Sequence, residues 1–127
     1  MSSVEVHAAR IAATSLHPEA AIRLARALTA ISAEFDAVLA EEIARLEHQR
    51  AALARSHRKG HAGFRAAVEA VRRDGQCLGH PLVAEVAQSL ASILDAMPAG
   101  GPPLDVIDAH IETMRAVLTD ANRKPER

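Results

Sequence analysis

The sequence is poor in the residues that several classes of protein depend on. Its 127 residues include no tryptophan, no tyrosine and only two phenylalanines, and 15 Lys and Arg are balanced by 16 Asp and Glu. Nucleic-acid-binding proteins combine excess positive charge with aromatic side chains that stack on bases, so this class is disfavoured. Cys77 is the only cysteine in the chain, which excludes an internal disulfide framework and a four-cysteine zinc site.

Long apolar runs are also missing. No stretch approaches the ~20 apolar residues of a membrane span, and residues 1–13 carry His7 and Arg10 where a signal peptide needs an apolar segment. Apolar residues nevertheless make up 49% of the chain, enough to form a core. The missing apolar runs predict a cytoplasmic protein that does not bind a membrane. Because there is no Gly-rich phosphate loop and no Ser-His-Asp order, we also expect that it is not an enzyme and binds no cofactor.

The composition predicts an all-α fold. Alanine is the commonest residue, followed by leucine, arginine and glutamate, which are strong helix formers, and no segment shows the alternation of a half-buried strand. Four main helices with short connections favour an up-and-down four-helix bundle. We expect an N-terminal helical arm over residues 1–17, the bundle over residues 18–121 and a charged tail over residues 122–127.

Apolar spacing and the positions of Gly and Pro delimit the helices. The first begins at Pro18, and its apolar stripe shifts near residues 32–36, which indicates a break or bend with Ser32 as a cap and leaves open whether residues 18–56 form one helix or two. Residues 56–63 (SHRKGHAG) are polar with two glycines and are predicted to be a connection. The remaining predictions are a helix over residues 64–78, a turn over residues 79–81, a helix over residues 82–97, a linker over residues 98–103 and a last helix from residue 104.

Seven histidines raise the question of a metal or phosphoryl-transfer site. His57 and His61 have the spacing of a helical metal pair, but Gly60 lies between them and no carboxylate follows at a ligand spacing, so we expect a solvated loop and no metal. His80 precedes Pro81 in a turn, where it could cap a helix, pack or act chemically. Four other histidines are predicted to lie at the surface, namely His7, His17, His48 and His110. Cys77 is predicted to be a small core residue.

The helix over residues 64–78 carries the most informative pattern. With its apolar stripe turned inward, Glu69 is exposed at mid-helix, with Arg65 four residues before it and Arg72 and Arg73 three and four residues after it. Taken alone, this is a salt-bridged helix surface in which each pair contributes a few tenths of a kcal/mol.

The same spacing resembles the histidine-containing phosphotransfer (HPt) domain of bacterial two-component signalling. That family has an exposed histidine at mid-helix, a Lys or Arg three residues later, a Gly at four and another Gly about ten residues on. Glu69, Arg72, Arg73 and Gly79 occupy these positions here.

Further segments resemble one bacterial subgroup of this family. Gly-Gln-Cys-Leu-Gly-His-Pro-Leu-Val at residues 75–83 is similar to its Gly-Gln-Gly-rich stretch followed by Phe-Gly-Tyr-Pro-Leu. Ala-Glu-Phe at residues 33–35, Ala-Glu-Glu-Ile-Ala-Arg-Leu at residues 40–46, Gln-Ser-Leu at residues 88–90 and Val-Ile-Asp-Ala-His-Ile-Glu-Thr-Met-Arg at residues 106–115 are similar to other parts of it. The resemblance covers roughly residues 20–120.

The resemblance implies a four-helix domain that meets a response-regulator receiver domain or a histidine kinase. The chain departs from the family where Glu69 replaces the phosphorylatable histidine and Arg73, able to pair with Glu69, replaces the glycine that leaves room for the partner. Because phosphohistidine chemistry needs an imidazole nucleophile, the resemblance implies a non-catalytic binding module. Three arginines around one carboxylate predict an acidic partner. The expected partner surface comprises Arg65, Glu69, Arg72, Arg73, Gln76, Gly79 and His80.

Two other hypotheses remain open at the level of sequence. The domain could be an active phosphotransfer protein that uses another histidine, with His80 the nearest candidate. It could instead be a helical self-association module, in which leftover apolar surface forms a homodimer.

Overall fold

The protein is all-helical in the computed structural model, which describes residues 17–96 and 103–122, apart from the side chains of residues 57, 121 and 122. Its helices are α1 (Pro18–Arg55), α2 (His57–Cys77), α3 (Pro81–Asp95) and α4 (Leu104–Asn122). No strand occurs within these ranges, and the prediction of an all-α fold is confirmed. Three predicted segments lie almost wholly outside the described residues. Only His17 of the predicted arm, Pro103 of the predicted linker and the backbone of Asn122 of the predicted tail are described.

The helices pack in a closed order, in which α1 contacts α2 and α4 and α3 contacts the same two helices. α1 and α2 run antiparallel, since Gly60 near the start of α2 lies against Leu53 near the end of α1, whereas His80, beyond the end of α2, meets Asp36 in the middle of α1. The buried core draws on all four helices. Its fully buried large side chains are Leu39, Ile43, Leu46, Leu53, Phe64, Val68, Val71, Val83, Leu90, Ile107 and Met114.

Of the two possibilities left open for residues 18–56, one helix or two, the structure shows one, so a break at residues 32–36 is wrong. α1 continues without interruption for 38 residues, or about 57 Å at 1.5 Å per residue, and contains neither Gly nor Pro after Pro18. Its buried residues begin only at Leu39. The shift of the apolar stripe therefore marks the point where α1 joins the other helices, and the helix itself is unbroken.

The predicted connection over residues 56–63 is also wrong, because all but Ser56 belong to α2. Ser56 alone separates α1 from α2, and its Oγ accepts a hydrogen bond from the Lys59 backbone N–H (3.3 Å) as an N-cap. A Cβ atom on Gly60 would lie 2.7 Å from Leu53 Cα. The glycine permits close packing of two helices, so here it marks a contact between helices.

The turn between α2 and α3 forms where it was predicted. Gly79 has φ +87°, in the left-handed region that glycine adopts without a steric penalty. The His80 backbone N–H donates to the Gly75 carbonyl (2.8 Å), and Pro81 occupies the first position of α3, where its missing N–H costs nothing. This turn brings α3 back along α2.

Candidate functional site on the surface of α2

Burial on one side of α2 turns Glu69 toward the surface. Phe64, Val68 and Val71 are fully buried, as the apolar spacing predicted. Glu69 follows Val68 on a neighbouring face, and its side chain keeps 39% of its exposure. The carboxylate therefore lies half-exposed near the middle of the helix.

Two arginines hold the Glu69 carboxylate. Arg65 Nη1 donates to Oε1 (3.3 Å), and Arg72 donates to Oε2 through Nε (2.8 Å) and Nη2. The hydrogen bonds from Arg72, supported by the one from Arg65, lower the pKa of Glu69 below its ordinary value. Glu69 is thus an ionised carboxylate with both oxygens engaged.

Arg65 also connects this group to the next helix. Its Nε and Nη2 donate to the two carboxylate oxygens of Asp95 on α3 at 3.1 and 3.2 Å, a fork-like geometry that fixes the guanidinium plane. Together, Glu69, Arg65, Arg72 and Asp95 form what we call the α2 surface network. The network spans two helices, so the position of the Glu69 carboxylate depends on the packing of α2 against α3.

The expected pairing of Arg73 with Glu69 does not occur. Arg73 keeps 62% of its side-chain exposure, and its Nε donates to Asp74 Oδ1 (3.2 Å). The expected local excess of positive charge is also offset, since Asp74 and Asp95 accompany the three arginines. Sequence spacing showed the arginines on α2, but the contribution of Asp95 depends on the packing of α3.

The other predicted surface residues divide into two groups. Gln76 is exposed and Gly79 is partly exposed at the turn. His80 is only 8% exposed, and its Nε2 pairs with Asp36 of α1. Of the roles left open for His80, the structure shows packing: the residue offers little area to a partner, and it makes no side-chain cap at the start of α3.

A carboxyl pair between α1 and α2 had no signal in the sequence. Glu42 of α1 hydrogen-bonds Asp74 of α2; burial, this hydrogen bond and the adjacent negative charge raise the pKa of Glu42 to about 7. The pKa of Asp74 is lowered, first by its hydrogen bond with Glu42 and then by Arg73. Within the described residues, Glu42 Oε1 is buried without a hydrogen-bond partner. The Glu42 carboxyl therefore keeps its proton to a higher pH than an ordinary glutamate does.

The positions of His57, His61 and Cys77 differ from those predicted. His57 and His61 lie in α2 and not in a loop, and the described part of the chain holds no group of three or more His, Cys, Asp or Glu side chains suited to a metal ion. Cys77 is exposed, so its prediction as a core residue is wrong.

His110 is held in one orientation at the edge of a groove between α3 and α4. Its Nδ1 donates to the Val106 carbonyl (2.8 Å), which leaves Nε2 to accept from Ser89 Oγ (3.0 Å). Ser89 lies inside α3, where backbone N–H groups are used by the helix, so the adjacent backbone offers no oxyanion donors of the kind that acyl transfer needs. We assign this pair to packing between α3 and α4.

No family model matches the chain, and no curated protein or solved structure gives a significant match. Among the described helices, none combines the length and the apolar composition that a membrane-spanning segment needs.

Proposed function

We propose that this chain is an HPt-like four-helix domain of a two-component phosphorelay that binds a receiver domain or a histidine kinase without carrying phosphate itself. The proposal rests on one observation above all. Glu69, at the position where the resemblance expects the phosphorylatable histidine, is a half-exposed carboxylate at mid-helix with both oxygens engaged by arginine.

The chemistry of Glu69 favours a binding role. A phosphorelay histidine attacks phosphorus through a neutral imidazole nitrogen. Glu69 offers an ionised carboxylate whose lone pairs are committed to Arg65 and Arg72. The pairing lowers both its basicity and its accessibility, so we expect no phosphoryl transfer to this position.

The α2 surface network suits a docking surface because it is ordered before a partner arrives. Arg65 is fixed between Glu69 and Asp95, so these side chains lose little conformational entropy on binding. Arg73 and Gln76, further along α2, are exposed and available to a partner. Because three carboxylates accompany the three arginines, we attribute recognition to directed hydrogen bonds more than to net positive charge.

The alternative that His80 receives phosphate is less well supported. A phosphoryl acceptor must reach a partner's active site, whereas His80 is 8% exposed and its Nε2 is paired with Asp36. The self-association alternative stays open, and its observation is the exposure of three apolar side chains of α1, namely Ile22, Ile31 and Val38.

Calorimetric titration with receiver domains and histidine kinases tests the proposal. Arg72→Ala combined with Arg73→Ala should weaken binding roughly tenfold at low ionic strength, equivalent to ~1.4 kcal/mol. The matched control combines Arg55→Ala with Arg58→Ala, which removes the same charge from exposed positions near the other end of α2. Equal affinities of the two double variants for a partner that the wild type binds would place the docking surface elsewhere. If the wild type binds none of the receiver domains and histidine kinases, the proposal is contradicted.

A further inference from the structure

The groove between α3 and α4 has a volume of about 520 Å³ and a mainly apolar lining. The residues that line it are Leu82, Glu85, Val86, Ser89, Ala109, His110, Thr113 and Val117. Five of these eight residues are exposed, and Leu82, at 57%, is the most exposed large apolar side chain in the described part of the chain. We call this surface the α3–α4 groove. Exposed apolar surface with a polar rim is typical of interaction sites.

The polar side chains of the groove offer hydrogen-bond acceptors to another molecule. The Ser89 hydroxyl donates its proton to His110 Nε2 (3.0 Å), and Thr113 Oγ1 donates to the Ala109 carbonyl (2.8 Å). Each hydroxyl therefore has only lone pairs left, and both ring nitrogens of His110 are already engaged. Glu85 adds an exposed carboxylate. A molecule that complements these groups brings hydrogen-bond donors and positive charge.

The two helices that form the groove are acidic. Together α3 and α4 carry six Asp and Glu and one basic residue, Arg115, whereas α1 and α2 carry ten Lys and Arg and eight Asp and Glu. Asp95, Asp108 and Arg115 are paired with side chains of α1 or α2. Four carboxylates of α3 and α4 have no ion-pair partner within the described residues, namely Glu85, Asp105, Glu112 and Asp120.

Two of these carboxylates lie along the groove, one on each side. Glu85 lines the α3 side. Asp120 is exposed and follows Thr113 by seven residues, about two helical turns, so it continues the α4 side. An apolar groove with a carboxylate on each side is complementary to a helix whose apolar stripe is flanked by Lys or Arg.

We infer that the α3–α4 groove docks a basic amphipathic helix of a partner protein. The apolar stripe of that helix packs between α3 and α4, and its Lys or Arg side chains pair with Glu85 and Asp120. The exposure of five lining residues shows an open groove, which suits a helix better than a small molecule, since small-molecule sites bury ~70–90% of the ligand surface. None of the lining residues belongs to the α2 surface network, and the inference does not depend on the proposed function.

Other parts of the same chain fit the groove less well. Among the described helices, only α2 has more Lys and Arg than Asp and Glu, and it exposes no large apolar side chain. Residues 123–127 (RKPER) are basic but also contain no large apolar side chain. A separate protein is therefore the occupant that satisfies both the apolar and the acidic character of the groove.

Fluorescence anisotropy with a labelled synthetic helix tests the inference. The probe is a leucine–lysine peptide with leucines at alternating spacings of three and four and lysines on either side of them, and the control peptide has glutamate in place of each lysine. The lysine peptide should bind the wild type saturably at low ionic strength and more weakly as salt is added, and the glutamate peptide should not bind. Backbone amide resonances of α3 and α4 should shift on binding.

Two pairs of matched variants assign the binding to the groove. Leu82→Ser should weaken binding of the lysine peptide roughly tenfold, whereas Ile22→Ser, the same type of change at a 53% exposed position of α1, should leave it unchanged. Glu85→Gln with Asp120→Asn should also weaken binding roughly tenfold. Its control, Glu34→Gln with Glu41→Gln, removes the same charge from exposed positions of α1. Circular dichroism and the melting temperature verify that all variants keep the fold.

Absence of saturable binding of the lysine peptide would overturn the inference, as would equal binding of the two peptides. Equal effects within either pair of variants, or resonance shifts confined to α1 and α2, would place the binding outside the groove and overturn it too. A wild type that sediments as a dimer together with a Leu82→Ser variant that sediments as a monomer would assign the groove to a second copy and equally overturn it.

Discussion

Asp36 and His80 are 44 residues apart in the chain and pair with each other where α1 leaves the other helices. Asp36 keeps 21% of its side-chain exposure and His80 only 8%. The pair joins the middle of α1 to the α2–α3 turn. His80 is thus a structural residue in this fold, which is why we do not assign it a role in phosphoryl transfer.

Removing the partner of this buried imidazole should destabilise the protein. Asp36→Ala leaves His80 Nε2 without its hydrogen-bond partner, and a buried polar group in that state costs about 1–3 kcal/mol. The free energy of unfolding in urea measures the effect. Glu47→Ala is the control, because Glu47 pairs with Arg115 at the surface with side chains about half exposed, and such pairs contribute ~0–1 kcal/mol. Equal losses in the two variants would contradict a structural role for the Asp36–His80 pair.

Gly60 and Gly63 allow the same substitution to be compared on one helix. Gly60→Ala should destabilise the protein by roughly 1–3 kcal/mol, because the new Cβ would lie 2.7 Å from backbone atom Leu53 Cα and overpack the contact. Gly63→Ala should be neutral or stabilising by up to about 1 kcal/mol, because its Cβ meets only the movable side chain of Gln49 and alanine favours the helix. Urea unfolding of both variants provides the measurement. A larger loss for Gly63→Ala would contradict the described packing of α1 on α2.

The two glycines also show what the sequence could and could not predict. Apolar spacing predicted the buried residues of α2, since a helix repeats every 3.6 residues and that period is visible in one dimension. Composition predicted a loop over residues 56–63, because a glycine that permits a close contact has the same letter as one that permits a turn. Only the position of Leu53 on the neighbouring helix distinguishes the two cases.

Contacts between helices set the same limit at the candidate site. The spacing of Glu69 from Arg65 and Arg72 was readable because all three lie on one helix. Asp95 reaches Arg65 from α3 and Glu42 reaches Asp74 from α1, and no local pattern links either of them to α2. The sequence therefore predicted the arginines around Glu69 but overestimated the local positive charge.

Glu42 should make stability depend on pH near neutrality. Its pKa is raised from an ordinary 4.5 to about 7, so its favourable contribution is complete below pH 4.5 and is lost as pH rises through 7. Glu42→Gln keeps a hydrogen-bond donor toward Asp74 without acquiring charge. We expect the variant to exceed the wild type in free energy of unfolding at pH 8, and this advantage to shrink toward pH 5.

Glu41→Gln is the matched control for this prediction, because it makes the same charge change at the preceding, exposed position of α1. Its difference from the wild type should vary much less between pH 5 and pH 8. An advantage for Glu42→Gln that stays constant across this range would contradict the assignment of the titration to the Glu42–Asp74 pair.

Phosphoryl transfer from a phosphorylated receiver domain tests the central claim most directly. The account predicts no acid-labile, base-stable phosphate on the wild type. It predicts such phosphate on a variant combining Glu69→His with Arg73→Gly, which restores the imidazole and the space that the resemblance associates with transfer. Label on the wild type would contradict the account, and its loss in His80→Ala would assign transfer to His80. A correctly folded double variant that binds a phosphorylated receiver but stays unlabelled would contradict the correspondence of Glu69 with the phosphorylatable histidine.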